Sequence, residues 1–123
     1  MSTEPAVVLK NFLRPCVLLL IREQPSHGYE LLERLRTLGF DRDDPGGLYR
    51  VLRRLENEGL VSSSWARSAS GPDRRVYRLT RAGMEELHRH AQTIVATRDV
   101  LQLFASRYGE FASLARVAAL ERR

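Results

Sequence analysis

The side chains best suited to chemistry in this sequence are guanidinium groups: Arg50, Arg53, Arg54, Arg67, Arg74 and Arg75, all within one stretch of the chain. A guanidinium is planar, permanently charged and forked, so it pairs with phosphate oxygens or with the O6/N7 edge of guanine. Residues 47–81 hold eight arginines against Glu56, Glu58 and Asp73, while the other 88 residues carry twelve basic and twelve acidic groups. The whole net charge of +5 is therefore local. A solvated surface mixes both signs. A concentrated excess points to a polyanion, with nucleic acid ahead of an acidic protein or a membrane surface.

Enzymatic chemistry finds no comparable constellation. There is no Ser/His/Asp order, paired-acid motif or phosphate loop, and Gly46-Gly47 is too short to cradle a nucleotide. His88 and His90 would point about 200° apart on a helix. The single cysteine, Cys16, can form no internal disulfide, and with three scattered histidines it closes no zinc site. Cys16 reads as a small core hydrophobe. Neither a catalytic residue, a metal nor a cofactor is expected. The longest apolar run, Val17–Ile21, is far short of a membrane span, and a cytoplasmic protein without membrane attachment is expected.

The elements that must position the arginines follow from periodicity and punctuation. Residues 1–8 read as a flexible arm. An apolar helix follows, starting near Arg14 or kinked at Pro15, and ends at Pro25. Ser26 is expected to cap a second helix over residues 26–38, with Leu31, Leu32, Leu35 and Leu38 at helical spacing and Gly39 as its stop. A third helix starts at Asp44-Pro45 and runs to about Glu58 before Gly59. Its leucines Leu48, Leu52 and Leu55 share one face, and Gly46, Arg50, Arg53, Arg54 and Asn57 occupy the other. The period then changes to two. Val61 to Arg67 and Arg74 to Leu79, joined by the turn Ser70-Gly71-Pro72-Asp73, predict a β-hairpin with a basic second strand, and Trp65 is expected to pack beneath it.

Thr80 caps a long helix expected to reach about Tyr108 and stop at Gly109, with Glu110–Arg123 folding back as a separate short helix. Its seam, Met84, Leu87, Ala91, Ile94, Leu101, Ala105 and Tyr108, alternates steps of three and four, with Arg98 at the one polar position. A helix that long exceeds what so small a body covers, which predicts a homodimer. Arg98 either lies in the dimer seam or binds an anionic effector near Phe104, Tyr108 and Phe12.

Three helices, the third with an arginine face, then a hairpin and a long helix, is the element order of a winged helix-turn-helix. The fold class expected is mainly α with a small β-hairpin wing. The glycines Gly46 and Gly47 let the third helix approach a duplex, Arg50 reaches a base edge, and Arg53 and Arg54 meet phosphates. Arg67, Arg74 and Arg75 grip the neighbouring backbone from the hairpin. Two subunits would want an inverted repeat with half-sites about 34 Å apart. The competing reading is a winged-helix module that docks an acidic protein.

Four blocks carry a family resemblance: His27-Gly28-Tyr29-Glu30-Leu31; Asp44 to Glu56; Glu58-Gly59-Leu60-Val61; and Arg74 to Thr80 with Gly83. In this order and spacing, over residues 12 to about 90, the chain resembles the PadR family of bacterial transcriptional regulators. The opening Asn11-Phe12-Leu13-Arg14-Pro15 and Gly71-Pro72 are especially similar to the polyhydroxybutyrate-responsive branch. The resemblance implies a dimeric winged-helix repressor, in some members released by a small-molecule effector, with the first and last helices forming the dimer interface. It also implies phosphate contacts by Tyr29 and Tyr49. The interface residues expected are Phe12, Leu87, Ala91, Ile94, Arg98, Leu101, Ala105 and Tyr108. Two departures stand out. Gly47 replaces a common threonine, and the C-terminal helix lacks the tryptophan with which drug-binding members stack flat ligands; the only tryptophan is Trp65. The expected division is an arm at 1–8, a DNA-binding domain at 9–79 and dimerisation helices at 80–123.

Overall fold

The computed structural model describes residues 11–40 and 45–121. The expected arm at 1–8 and the Asp44 cap lie outside them. The elements are α1 (Leu13–Glu23), a short strand β1 (Ser26–His27), α2 (Gly28–Leu35) closed by a 3₁₀ turn (Arg36–Leu38), α3 (Pro45–Asn57), β2 (Val61–Ala66), β3 (Arg74–Leu79) and α4 (Arg81–Glu121). Two compact units result, the first reaching Arg89 and the second running from His90.

In the first unit each helix contributes one apolar face. Val17, Leu18 and Ile21 of α1, Leu31 and Leu35 of α2, and Leu48, Leu52 and Leu55 of α3 meet in one cluster, floored by Leu60, Val61 and Tyr77 of the sheet. Pro15 falls in the first turn of α1, where its missing N–H breaks no helical bond, so α1 is not kinked out of register there. Gly39 and Gly59 both take the left-handed conformation, φ 92° and 75°, and end their helices as expected. After Gly59, Leu60 N–H closes back onto Leu55 C=O.

Three local expectations are corrected. First, the cap of α2 is His27 and not Ser26: His27 Nδ1 accepts from Glu30 N–H while Glu30 Oε1 accepts from His27 N–H, both at 3.3 Å. Ser26 is instead buried, donates to Gln24 C=O and accepts from Arg34 Nη1. Second, Ser26 and His27 form a third strand. The sheet order is β1-β3-β2, antiparallel throughout, with Ser26 opposite Tyr77 and Val61 opposite Leu79. Third, Gly109 does not end α4, which continues unbroken to Glu121. A mid-helix glycine costs about 1 kcal/mol against alanine, and a stop also needs a left-handed residue and a closing partner. Gly109 has no positive φ. Helix formers on both sides carry the helix through.

The start of α4 follows the sequence signal. Thr80 Oγ1 accepts from Gly83 N–H at 3.1 Å and donates to Gly59 C=O at 2.7 Å. At Gly83 a Cβ would lie 2.0 Å from the Leu60 carbonyl oxygen, so only glycine lets this turn seat against the sheet.

Candidate nucleic-acid interface

The rotation of α3 is set by its core face. Leu48, Leu52 and Leu55 are fully buried, which turns Arg50, Arg53 and Arg54 outward into solvent. Among the described residues these three guanidinium groups, and that of Arg67 beyond β2, enter no ion pair or side-chain hydrogen bond. Four strong cations are thus held apart from the described carboxylates. Gly46 is exposed and Gly47 half-buried at the start of the same helix.

Beside this face lies an open groove of about 360 Å³, lined by His27, Gly28 and Tyr29 from the start of α2, Tyr49 of α3, and Arg74, Arg75 and Tyr77 of β3. Tyr29 and Tyr49 are exposed. At Gly28 a Cβ would come within 2.6 Å of the Tyr49 ring and its hydroxyl, so a larger residue there displaces that exposed side chain. Because His27 Nδ1 accepts from a backbone N–H, the ring proton belongs on Nε2, 3.1 Å from Glu30 Oε1. Arg74 Nη1 also stands 3.1 Å from Nε2. Tyr77 is buried, and loss of solvent pushes its phenol above the ordinary value, so the groove floor stays neutral.

The hairpin is locked to α3 by a ladder of polar contacts. Ser63 of β2 donates to Glu56 of α3. Arg75 Nε of β3 donates to Ser63 Oγ at 2.8 Å, and Arg75 Nη2 lies 4.0 Å from Glu56. The Arg75 guanidinium sits over the Trp65 ring, 5.7 Å from its centroid. The expectation that Trp65 packs beneath the hairpin is corrected: its side chain is 68% exposed. Trp65 is paired opposite Arg75 near the end of the hairpin, past the core-facing positions Val61 and Tyr77 of the same sheet face. No core remains for it to cover.

A second brace was not legible in the sequence. Arg14 of α1 donates to Glu58, just past α3, at 2.7 Å, and to Glu86 of α4 at 2.9 and 3.0 Å. The hydrogen bond to Glu86 raises the Arg14 pKa most, against the opposing effect of burial. One permanent cation thus ties the first helix, the end of α3 and the first turns of α4.

In the second unit α4 carries an apolar face with large side chains in solvent. Val100, Leu103, Phe104, Arg107, Tyr108 and Phe111 line an open groove of about 490 Å³, and Phe104 and Phe111 are 70% and 72% exposed. Phe104 and Tyr108 are thus brought together, with Arg107 as the cation beside them. Arg98 lies outside this lining and its guanidinium bonds Asp99 at 3.1 Å. Phe12 stacks on Phe40 in the first unit at 6.1 Å. Of the seam residues, Leu87 packs on the core, Ile94 is half-buried, and Ala91, Leu101, Ala105 and Tyr108 are exposed. At about 100° per residue, the face centred on Val100, Phe104 and Phe111 lies roughly a quarter-turn or more round from Leu101 and Ala105. The seam traced from Met84 to Tyr108 does not follow this face, whose signal in the sequence is the recurrence of Val100, Phe104 and Phe111 at steps of four and seven.

Among the described residues no helix is long and apolar enough to cross a membrane. Comparison with known proteins places this geometry. Residues 17–89 match the transcriptional regulator PadR-like family. The Mycobacterium tuberculosis transcriptional regulator Rv3488 is 40% identical over 83 residues, which span 64% of this chain and 76% of that protein. The probable transcriptional regulator Rv1176c of the same organism is 33% identical over 115 residues, covering 80% of this chain; the match spans only 61% of that relative's length. The solved structure of a PadR-like transcriptional regulator from Bacillus cereus superposes with a TM-score of 0.67 at 33% identity, covering 77% of this chain and 94% of that one. The arginine-faced third helix, the three-stranded wing and the long final helix are thus those of a winged-helix protein, and the chain belongs to the PadR-like family of transcriptional regulators.

Proposed function

We propose that this chain is a repressor that binds an inverted-repeat operator as a homodimer in the cytoplasm. The observation that carries the reading is the two-sidedness of α3: three buried leucines fix it, and three arginines with no internal partner among the described residues stand on its solvent side. A helix of this width enters the major groove, with Arg50 reading a guanine edge and Arg53 and Arg54 on phosphates. The groove holding Tyr29, Tyr49, Arg74 and Arg75 takes the flanking phosphates, and Arg67 extends the grip along the wing. Residues 9–79 serve as the DNA-binding part and 80–123 as the dimerisation part. The exposed face of α4 supports the pairing, because a contiguous row of large apolar side chains in solvent marks a surface that another protein surface covers.

A small-molecule effector fits the apolar groove at Phe104 and Tyr108, with Arg107 as its cation. Likeness to the polyhydroxybutyrate-responsive branch rests on Asn11–Pro15 and Gly71-Pro72. Titration of a duplex from the region upstream of the protein's own gene, at several salt concentrations, tests the reading. Each phosphate neutralised contributes about 0.9 to the log–log salt slope. Arg50→Ala is expected to lose about 1–3 kcal/mol on the specific duplex. Arg74→Ala weakens all sequences alike and lowers the slope by about one. Wild-type affinity in both variants overturns the docking described.

A further inference from the structure

We infer that Trp65 is itself a DNA contact: its indole ring packs on a deoxyribose of the strand beside the wing while Arg75, stacked on the ring, pairs with the adjoining phosphate. The inference rests on the DNA-binding reading above and adds to it an apolar contact among the cations.

Three observations carry it. The ring is 68% exposed near the end of a hairpin whose core-facing positions end before it, so core packing does not explain an indole there. Its position is fixed, because Arg75 lies over the ring while also donating to Ser63, and Ser63 donates to Glu56 of α3. The wing tip is therefore registered to the helix that presents Arg50, Arg53 and Arg54. Arg75, the ring's partner, also lines the groove shared with Tyr29, Tyr49 and Arg74. The guanidinium lies over the ring, and most of the residue stays in water. A fixed apolar plate with a cation on it is complementary to a sugar–phosphate unit, and such contacts tolerate any sequence because every nucleotide offers the same sugar.

Trp65 is the chain's only tryptophan, so its fluorescence reports this position alone. Wild type, Trp65→Phe, Trp65→Ala and Arg74→Ala are titrated with a mixed-sequence duplex at several salt concentrations, following both tryptophan emission and the anisotropy of labelled DNA. Emission is expected to change in step with anisotropy. Trp65→Ala is expected to lose about fivefold or more in affinity with the salt slope unchanged, and Trp65→Phe to keep most of the affinity. A drop in slope for Trp65→Ala overturns the contact, since the ring would then act only by positioning Arg75. So does unchanged emission at saturation, or wild-type affinity in Trp65→Ala, while Arg74→Ala is weakened; in that case the DNA-binding reading stands. Failure of the wild type to bind any duplex at low salt overturns that reading, and the contact with it.

Discussion

The two units of this chain solve the burial problem in opposite ways. Every helix of the first unit hides its apolar face against its own chain: Leu18, Leu31, Leu52 and Val61 meet in one cluster. The second unit is one stretch of helix whose largest apolar groups, Phe104 and Phe111 among them, face solvent. Burying a phenylalanine contributes about 1.5–3 kcal/mol, so the first unit has paid its entropy from within and the second has not. The contrast teaches that α4 is one helix under two regimes: docked on the sheet near its start, and carrying its largest apolar groups in solvent further along.

Two glycines of this one helix give the sharpest way to break the comparison. At Gly83 an added Cβ meets the Leu60 carbonyl oxygen at 2.0 Å, and backbone cannot step aside. Gly83→Ala is expected to cost about 3 kcal/mol or more, seen as a lowered denaturation midpoint. At Gly109 nothing lies within 4 Å. Gly109→Ala is expected to stabilise by up to about 1 kcal/mol, with increased helicity by circular dichroism. Equal effects at the two sites would contradict the division.

Leu52→Ala carries the same contrast into the side chains. It empties a fully buried site and should cost about 2–5 kcal/mol at any protein concentration. Phe111→Glu empties nothing inside the chain. Its expected effect is on assembly: sedimentation shifts toward a single subunit, and the melting temperature of wild type, but not of the variant, rises with concentration. A variant that sediments as wild type would show that this face of α4 is not covered by a second copy.

The smallest expected effect belongs to Cys16. Burial in the core pushes its thiol up from 9.0 to about 11. The folded state therefore holds the proton more tightly than the unfolded chain. That contribution is complete below pH 9.0 and is lost as pH rises toward about 11. The stability difference between wild type and Cys16→Ala is expected to narrow across that window, in denaturation curves taken at stepped pH. A constant difference would mean the thiol is not shielded.

Legibility followed the length of the signal. The face of α3 was readable because three leucines and three arginines repeat the helical period over a dozen residues, and no other rotation buries one set and frees the other. Strand β1 was not, because two residues have no period. Its existence depends on β3 arriving alongside. The cap of α2 is legible only as a choice between neighbours: serine is the commoner capping residue, and pairing of Ser26 into the sheet leaves the place to His27. Trp65 was assigned to packing on the general habit of large aromatics. Where the hairpin runs past the core is a matter of register, which alternation along a strand does not reveal.

What the sequence by itself determined was local: where helices start and stop at Thr80, Gly39 and Gly59, which face of α3 is apolar, and that the positive charge is gathered in residues 47–81. Those properties depend on neighbours within a few residues, which the chain states directly. What only the tertiary structure decided was long-range: Arg14 reaching both Glu58 and Glu86, Gly28 under Tyr49, the ladder from Glu56 to Trp65, and the continuity of α4 through Gly109. The first three join residues far apart in sequence, where any of several partners satisfies the chemistry, and packing alone selects one. The last is a balance between a local penalty and the cooperativity of a whole helix, which no single residue carries.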